Sequence, residues 1–246
     1  MILHENLVKA GNRLFRWRSY LPLLFVPILI SGLLEFGYPK DSHTYDLIWE
    51  VLCMSVSFFG LLVRCYTIAY VPKRTSGRNT KSQKADSLNI TGMYSLMRNP
   101  LYFGNFFMFL GVTLFVRLWW VIIIYGLAFW LYYERIILAE EAFLKEKYGQ
   151  DYLDYAKRTP AFIPKFNNWE RPILPFSFRH ILKREYSAFF AMIASFTVLE
   201  FVGDYILTGK LMIDTVWFCL FLGGLGVYLT LRTLKKRTRI LNVEGR

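Results

Sequence analysis

The chain has 246 residues, of which 54% are hydrophobic and 18% aromatic, and its 30 lysines and arginines against 18 acidic residues give a formal charge of +12. So much apolar and aromatic material excludes an ordinary soluble domain. The basic residues fall between the apolar runs, which is typical of membrane proteins, so the positive charge is no reason to predict nucleic-acid binding.

Six apolar runs, each nearly free of charge, predict an all-α integral membrane bundle with about six transmembrane helices. They lie at 19–38, 47–71, 100–116, 118–138, 187–207 and 215–231. Each is close to the roughly 17–25 residues that a helix needs to cross a bilayer. If one of the first or last pair does not cross completely, the number of spans is five. Arg64 lies within the second run, near its cytoplasmic end, and we expect it to snorkel to the interface.

The distribution of lysine and arginine predicts the orientation. The N-terminal residues, segments 72–98 and 133–186 and the C-terminal tail together hold 26 of them, whereas the connections on the opposite side hold three. By the positive-inside rule, both termini and both long segments are cytoplasmic. We predict an integral membrane protein whose partners are the bilayer and its lipids, and the sequence indicates no obligate protein partner.

The connecting segments differ in pattern. Segment 72–91 is polar without a hydrophobic period and is predicted to be a loop, whereas segment 139–158 is predicted to be an amphipathic helix, broken near Gly149. Its apolar positions, three or four residues apart, are Ala139, Phe143, Leu144, Tyr148, Tyr152 and Tyr155. Four prolines within 159–185 exclude one continuous helix there.

A tight helical hairpin is predicted between these segments. Residues 99–133 carry one charge, Arg117, and no turn-rich linker, so two spans must join at Arg117–Leu118. Both ends of the hairpin then return to the cytoplasmic face. The stretch GMYSLMRNPLYFGNFFMFLG, residues 92–111, is thereby brought next to the amphipathic helix.

The residues at that face combine charges and aromatic rings. Arg98 and Asn99 precede Pro100, and a helix that starts at proline exposes backbone N–H groups that can hold an anion. Glu140 and Glu141 follow the other hairpin helix. The neighbouring aromatic residues are Tyr94, Tyr102, Tyr152 and Tyr155. This set suits a zwitterion that also carries a cation, and S-adenosylmethionine fits, because its carboxylate needs donors, its ammonium needs a carboxylate and its sulfonium tolerates aromatic faces.

Each of these residues also has a plainer interpretation. Arg98 can be an interfacial anchor, and Tyr94 and Tyr102 can belong to an aromatic belt. The Glu140–Glu141 pair can be the solvated face of a helix. The histidines and cysteines are scattered, so neither a metal site nor a disulfide is predicted.

The pattern TGMYSLMRNPLYFGNF, followed by a hairpin and AEEAFLKEKYGQDYLDYAKRTPAFIP, resembles the isoprenylcysteine carboxyl methyltransferase and phospholipid methyltransferase family. The resemblance covers about residues 45–166 and implies an integral membrane enzyme that uses S-adenosylmethionine. A closer resemblance, RTSGRNT…SLNITGMYSLMRNPLYFGNF, is to bacterial lipid A 1-phosphate methyltransferases, and it implies a location in the bacterial inner membrane. The chain then divides into an N-terminal arm with the first span (1–44), a methyltransferase core (45–170), and a linker with two spans and a basic tail (171–246).

The resemblance also implies roles for individual residues. The implied cofactor contacts are Asp86, Ser87, Leu88, Asn89, Tyr94, Asn99, Pro100, Leu101, Tyr102, Glu140 and Glu141. The implied catalytic residues are Arg98, Asn99 and Arg135. Because Asn99 stands where the family commonly has histidine, a proton-shuttling role there is not expected. Arg135 is offset by one residue from the family's acceptor-facing arginine and is also predicted to bind substrate.

The acceptor is predicted from segment 72–84, which carries five cations and no acid. Arg74 and Arg78 flank hydroxyls and a glycine, and arginine suits phosphate through its two-pronged geometry. We therefore expect both to bind a lipid phosphate, with lipid A 1-phosphate as the first candidate, and an acceptor that is already anionic needs no general base. The alternatives are an isoprenylcysteine or other isoprenoid carboxyl methyltransferase, a membrane sterol or isoprenoid reductase with a nicotinamide cofactor, and a non-enzymatic membrane protein.

Overall fold

The computed structural model describes residues 3–18, 20–35, 43–72, 75, 85–210 and 213–246. Within these ranges the chain forms nine α-helices and one short 3-10 turn, Phe166–Asn168, and no strand. The helices are α1 (Leu3–Trp17), α2 (Leu21–Leu33), α3 (His43–Tyr70), α4 (Met93–Leu96), α5 (Pro100–Leu114), α6 (Trp119–Tyr148), α7 (Gln150–Arg158), α8 (Phe178–Thr208) and α9 (Thr215–Arg237).

Among the described residues, four helices are long and apolar enough to cross a membrane: Tyr45–Tyr70 within α3, and the whole of α6, α8 and α9. This confirms the predicted polytopic helical bundle. The helices α2 and α5 are apolar but hold 13 and 15 residues. At 1.5 Å per residue they are about 20–23 Å long, less than a hydrocarbon core of about 30 Å. Two of the six predicted spans are therefore shorter than predicted.

The predicted hairpin is confirmed, with α5 and α6 joined through residues 115–118. Arg117 closes the turn with φ 65°, in the left-handed region that few non-glycine residues adopt. Its guanidinium pairs with Asp46 near the start of α3, and both side chains are largely buried. Gly32, at the end of α2, lies against Val116. One end of the bundle is therefore built from this turn, and the other ends of α5 and α6 reach the opposite end.

The helices α3 and α5 approach each other through glycines. A Cβ added at Gly60 would lie 2.4 Å from the carbonyl oxygen of Gly104, and one at Gly111 would lie 2.3 Å from that of Cys53. Small residues at such positions let the backbones of membrane helices come close. A Cβ at Gly104 would also lie 2.5 Å from Cγ of Arg64, so the same contact sets the course of that arginine side chain.

The six apolar runs do not include α1, which packs along α6. A Cβ added at Gly11 would lie 1.9 Å from the carbonyl oxygen of Arg135, and the Tyr132 hydroxyl donates to the Leu14 carbonyl at 2.8 Å. Phe15 is buried among aromatic residues of α5 and α6. The contact brings the end of α1 to the part of α6 that carries the predicted glutamate pair.

The predicted amphipathic helix is divided between two helices. The first part is the end of α6, which continues from its apolar segment to Tyr148 without interruption, and the second part is α7. Gly149 separates them with φ 55°, which confirms the predicted break. The buried face of α7 carries Tyr152 and Tyr155.

The segment after α7 wraps around the residues that precede α5. Apart from one 3-10 turn, residues 159–177 are irregular, as the prolines predict. The backbone N–H of Arg98 donates to the Pro160 carbonyl at 2.9 Å, and that of Lys165 donates to the Leu96 carbonyl at 3.0 Å. These bonds fix the entry to α5 from outside the helix itself.

Candidate functional site

A cavity of about 570 Å³ lies at the end of the bundle opposite the hairpin turn. Its volume is within the range of about 300–1,000 Å³ that is usual for small-molecule sites. Eleven of the predicted site residues line it: Ser87, Leu88, Asn89, Tyr94, Arg98, Asn99, Pro100, Leu101, Tyr102, Glu140 and Glu141. The structure thus brings together residues from the entry to α5 and from the end of α6.

Of the other predicted site residues, two are described and do not line the cavity. Asp86 is exposed and lies between Ala85 and Ser87, which both line the cavity. Arg135 donates instead to the carbonyl of Leu131, one turn earlier on α6. Arg74 and Arg78 lie outside the described residues. Thr75, which follows Arg74 in the chain, does line the cavity.

The carboxylate of Glu140 is held from two sides. The Tyr102 hydroxyl donates to its Oε1 at 2.8 Å, and Nη1 of Arg18 lies 3.7 Å from the same oxygen. The Arg18 guanidinium also stacks over the Phe15 ring, 4.1 Å from its centroid. A carboxylate is therefore fixed in the cavity wall by Arg18, which follows α1, and by Tyr102 of α5. Arg18 was not among the predicted site residues, because its link to Glu140 depends on the packing of α1.

The second glutamate, Glu141, pairs with Arg98. Nε and Nη2 of Arg98 donate to Oε1 of Glu141 at 2.9 and 2.7 Å. Nη1 donates to the carbonyls of Ala156 and Thr159 at 2.9 and 2.7 Å. Every guanidinium nitrogen is thus bonded within the protein, and the pair ties the end of α6 to the end of α7. The geometry gives Arg98 a positioning role, while its catalytic role stays a prediction.

Asn99 immediately precedes α5 and lines the same cavity. Its side-chain amide donates to the Ala161 carbonyl at 3.0 Å, and Pro100 is the first residue of the helix. Pro100 and Leu101 line the cavity as well. The N-terminus of α5 therefore meets the cavity, and the positive end of a helix dipole favours an anion there.

Three tyrosines complete this side of the cavity. Tyr155 donates to the Tyr94 carbonyl at 2.7 Å, and Tyr152 is buried beside it. Burial raises the pKa of all three hydroxyls above its ordinary value, and the charge of Glu140 adds to the rise in the pKa of Tyr94. They remain protonated near neutral pH and present O–H groups rather than phenolates.

Arg64 does not snorkel, contrary to the expectation from sequence. Its Nε and Nη2 donate to both carboxylate oxygens of Glu185 at 2.8 and 2.9 Å, and its Nη1 donates to Oδ1 of Asn105 at 2.5 Å. Asn105 in turn donates to the Tyr133 hydroxyl at 3.2 Å. A buried arginine needs such partners to compensate for its lost hydration. The sequence shows Arg64 as a lone charge within an apolar run. It does not indicate the partner, because Glu185 is 121 residues away.

The helix that carries this partner also contributes to the cavity. Arg184, Glu185, Ser187 and Ala188 of α8 are part of its lining. The bidentate pair between Glu185 and Arg64 joins α8 to α3 at this point. The sequence assigned no role to the last two apolar runs, and the structure gives α8 a place in the wall of the site.

Comparison with known proteins identifies the family. Residues 51–151 match the model of the family described as Phospholipid methyltransferase. The cobalt-zinc-cadmium resistance protein CzcN of Cupriavidus metallidurans is 30% identical over 156 residues, which cover 63% of this chain and 68% of that protein. The chain belongs to the phospholipid methyltransferase family.

Two further relatives of this phospholipid methyltransferase family member are matched over shorter shares of their length. The nickel-cobalt-cadmium resistance protein NccN of Alcaligenes xylosoxydans xylosoxydans is 30% identical over 119 residues, 48% of this chain and 55% of that protein. Protein-S-isoprenylcysteine O-methyltransferase of Dictyostelium discoideum is 27% identical over 151 residues, 59% of this chain and 62% of that protein. No solved structure matches.

Some of the residues that line the cavity lie within the segment that matches the family model, and others lie outside it. The matched segment runs from α3 to the start of α7 and so contains the predicted cofactor residues. It leaves out α1, which leads to Arg18, and α8, which carries Arg184 and Glu185. Two of the relatives are named for metal resistance; in the described part of this chain, no group of three or more His, Cys, Asp and Glu side chains is placed to hold a metal ion.

Proposed function

We propose that this protein is a membrane-embedded, S-adenosylmethionine-dependent methyltransferase that methylates an anionic oxygen on an acceptor with an apolar tail. The observation that carries the proposal is the arrangement around Glu140. A carboxylate held by Tyr102 and Arg18 shares one cavity with the N-terminus of α5, in a bundle with membrane-spanning helices. Membership of the phospholipid methyltransferase family supports methyl transfer over the reductase alternative.

The donor set of the cavity fits S-adenosylmethionine. Glu140 suits the ammonium group, and the start of α5 beside Asn99 suits the carboxylate. The aromatic faces of Tyr94 and Tyr102 suit a sulfonium. When bound, this cofactor supplies an electrophilic methyl group. A volume of about 570 Å³ accommodates it together with the head group of an acceptor.

The protein's own residues then bind and orient rather than exchange protons. Tyr102 and Arg18 hold Glu140 in one orientation, and Arg98 fixes Glu141 to α7. Because a carboxylate or phosphate is already anionic near pH 7, its oxygen needs no general base. The contribution of the site is the alignment of that oxygen with the methyl group, and alignment of this kind supplies a large share of enzymatic rate enhancement.

The first candidate for the acceptor is the carboxylate of an isoprenylated cysteine. It is supported by the name of the Dictyostelium discoideum relative, Protein-S-isoprenylcysteine O-methyltransferase. This choice reverses the order predicted from sequence, because the relatives described above do not carry the lipid A description. A lipid phosphate is the second candidate. It is supported by the four arginines against three glutamates in the described part of the lining, and by the hydroxyl-bearing Thr75 there.

Because S-adenosylmethionine comes from the cytosol, the proposal requires the cavity to open toward the cytoplasm. The cavity lies at the end of the bundle where α6 passes into the basic segment 133–186 and where α9 ends in its basic turn. By the positive-inside rule this end faces the cytoplasm in this proposal. Because the relatives CzcN and NccN come from bacteria, we propose the bacterial inner membrane as the location. An acceptor from the same bilayer then enters between helices rather than from solution.

Calorimetry and methyl-transfer assays on the purified full chain in detergent test the proposal. We expect binding of S-adenosylhomocysteine and none of NADPH. Radiolabelled methyl from S-adenosylmethionine is then offered to N-acetyl-S-farnesylcysteine in one reaction and to vesicles that contain phosphatidic acid or lipid A in the other. Label on the farnesylated acid supports the first candidate, and label on a lipid phosphate supports the second. Binding of NADPH without S-adenosylhomocysteine would overturn the proposed function.

A further inference from the structure

We infer that the Tyr133 hydroxyl binds the anionic oxygen of the acceptor, and that Asn105 and Arg64 are positioning residues that aim its O–H bond into the cavity. The inference rests on the proposed methyltransferase function and deepens it by naming the group that receives the acceptor. It is carried by three features of the described residues: a chain of hydrogen bonds whose direction is fixed, a buried O–H group without an acceptor, and the depth of that group in the bundle.

The hydrogen bonds between α3, α5 and α6 run in one direction, which begins at Arg64. A guanidinium has only donors, so the atom of Asn105 that faces Nη1 of Arg64 at 2.5 Å must be the amide oxygen. The amide nitrogen then points the other way and donates to the Tyr133 hydroxyl at 3.2 Å. The orientation of the Asn105 amide therefore follows from its arginine partner, and the Tyr133 oxygen is the acceptor in the last bond.

The O–H bond of Tyr133 has no acceptor within the described part of the chain. A tyrosine hydroxyl carries one proton, and because its oxygen accepts from Asn105, that proton is directed elsewhere. Tyr133 is 5% exposed and lines the cavity together with Asn105 and Arg64. Nearly all buried polar groups in proteins are hydrogen-bonded, so a buried donor that is left open at a cavity indicates a partner that occupies the cavity.

Aromatic packing fixes the direction of this hydroxyl. The Tyr133 ring packs against those of Phe129 and Tyr102, whose centroids lie 4.2 and 4.7 Å from its own. The start of the chain is fixed as well, because a Cβ added at Gly104 would lie 2.5 Å from Cγ of Arg64. A functional group whose side chain is locked by packing and by supporting hydrogen bonds is preorganised for its ligand.

An anionic oxygen is the partner that this donor suits best. Each hydrogen bond in a chain polarises the next one, and this chain begins at a guanidinium, so the Tyr133 O–H group is a stronger donor than an isolated phenol. A bond from a hydroxyl to a charged oxygen is shorter and about twice as strong as one between neutral groups. A carboxylate and a phosphate both offer such an oxygen and leave another one for methylation. Tyr133 therefore orients the acceptor without removing a proton from it.

The depth of Tyr133 in the bundle distinguishes it from the residues assigned to the cofactor. Tyr133 precedes Glu140 by seven residues on α6. At 1.5 Å per residue it lies about 10 Å nearer the hairpin turn, on nearly the same face of the helix. Glu140 follows the apolar run 118–138, whereas Tyr133 lies within it. An acceptor that is anchored in the bilayer by an apolar tail reaches the cavity from the side of Tyr133.

The first test removes the hydroxyl. Tyr133→Phe should raise the KM about ten- to a hundredfold for whichever acceptor the wild type methylates, N-acetyl-S-farnesylcysteine or vesicles that contain phosphatidic acid or lipid A. Direct binding of the same probe in the presence of S-adenosylhomocysteine should weaken by the same factor, while the Kd for S-adenosylhomocysteine itself stays within about twofold of wild type. The matched control is Tyr125→Phe on the same helix. The Tyr125 hydroxyl donates to the Phe106 carbonyl at 2.7 Å and does not line the cavity, so its removal should leave the acceptor KM unchanged.

The second test reverses the direction of the hydrogen bonds. Asn105→Asp keeps the shape of the side chain but has no amide donor, so its carboxylate accepts from both Arg64 and Tyr133, and the Tyr133 proton no longer reaches the ligand. Acceptor binding should fall as in Tyr133→Phe, although the tyrosine is still present. Adding Tyr133→Phe to Asn105→Asp should then change acceptor binding by less than about twofold, since both act through one bond. A purely structural role, or repulsion by the new charge, would instead make the two losses additive.

The outcomes separate this inference from the proposed function. If the wild type fails to bind S-adenosylhomocysteine, the inference falls with the proposed function. If the wild type binds and methylates but Tyr133→Phe keeps its acceptor KM, the inference alone is overturned. A loss of S-adenosylhomocysteine affinity in Tyr133→Phe, with acceptor binding unchanged, would assign the hydroxyl to the cofactor and overturn the inference as well. Should Tyr133→Phe not fold, Asn105→Asp decides by the same measurements.

Discussion

Replacing Glu140 by glutamine should abolish tight cofactor binding while leaving the bundle folded. The carboxylate accepts a 2.8 Å hydrogen bond from Tyr102 and lies 3.7 Å from Arg18, so the ligand's ammonium would add a charge-assisted bond to an oriented anion. A hydrogen bond to a charged group contributes about 1.5–3 kcal/mol, which corresponds to about a ten- to hundredfold loss of affinity. Glutamine has nearly the same shape and still accepts a hydrogen bond from Tyr102, so packing is preserved.

The assay is calorimetry with S-adenosylhomocysteine, and the matched control is Glu146→Gln. Glu146 lies on the same helix, is exposed and does not line the cavity. Tyr102→Phe should lower affinity by about two- to tenfold, because it removes a neutral donor that orients the carboxylate. Its effect should be smaller when Glu140 is already glutamine, since the two residues act through one bond. Wild-type affinity in Glu140→Gln, with the helix content unchanged, would refute the assignment of Glu140 as the cofactor ligand.

Glu185→Gln should lower the free energy of unfolding by about 3–5 kcal/mol, because its arginine partner is left as a buried charge without a counter-ion; thermal unfolding in detergent measures this, and an unchanged midpoint would contradict the structural role of the pair. Gly60→Ala should destabilise by about 1–3 kcal/mol, since its Cβ would lie 2.4 Å from a carbonyl oxygen of α5, whereas Gly126→Ala, with nothing within 4 Å, should not. In a background without the native cysteines, Lys165→Cys should resist an impermeant thiol reagent in intact cells and Lys210→Cys should react; the opposite pattern would reverse the orientation.

The parts of this structure that sequence predicts are those whose signals are local. The hairpin follows from an uncharged stretch with a single cation at its turn, and the break at Gly149 and the irregular segment after α7 follow from residues that terminate helices. The clustering of residues from the entry to α5 and the end of α6 follows from the hairpin itself, because its two ends must return to one face. Eleven of the predicted site residues line one cavity, and three of them, Ser87, Leu88 and Asn89, were implied by the family resemblance and not by the hairpin.

The parts that sequence misses depend on contacts between distant segments. The polar composition of α1 hides a helix that packs on α6 through Gly11. The pairing of Arg64 with Glu185 joins residues 121 positions apart, and nothing in either neighbourhood indicates the other. Snorkelling is the usual outcome for an arginine near the end of a span. Here α3 and α5 lie close together and α8 supplies a carboxylate, so the Arg64 guanidinium finds hydrogen-bond partners inside the bundle that compensate for its lost hydration.

The cavity therefore depends on helices on both sides of the matched segment. On one side of the matched segment, Arg18, which follows α1, orients the Glu140 carboxylate. On the other side, Glu185 of α8 pairs with Arg64 and so holds the α8 wall of the cavity in place. Neither contact exists until the tertiary packing forms, so a fragment limited to residues 51–151 would retain the predicted cofactor residues without two of their supports. Such a fragment should bind S-adenosylhomocysteine more weakly than the full chain even if its helices form. This dependence makes the flanking helices part of the site rather than additional membrane anchors.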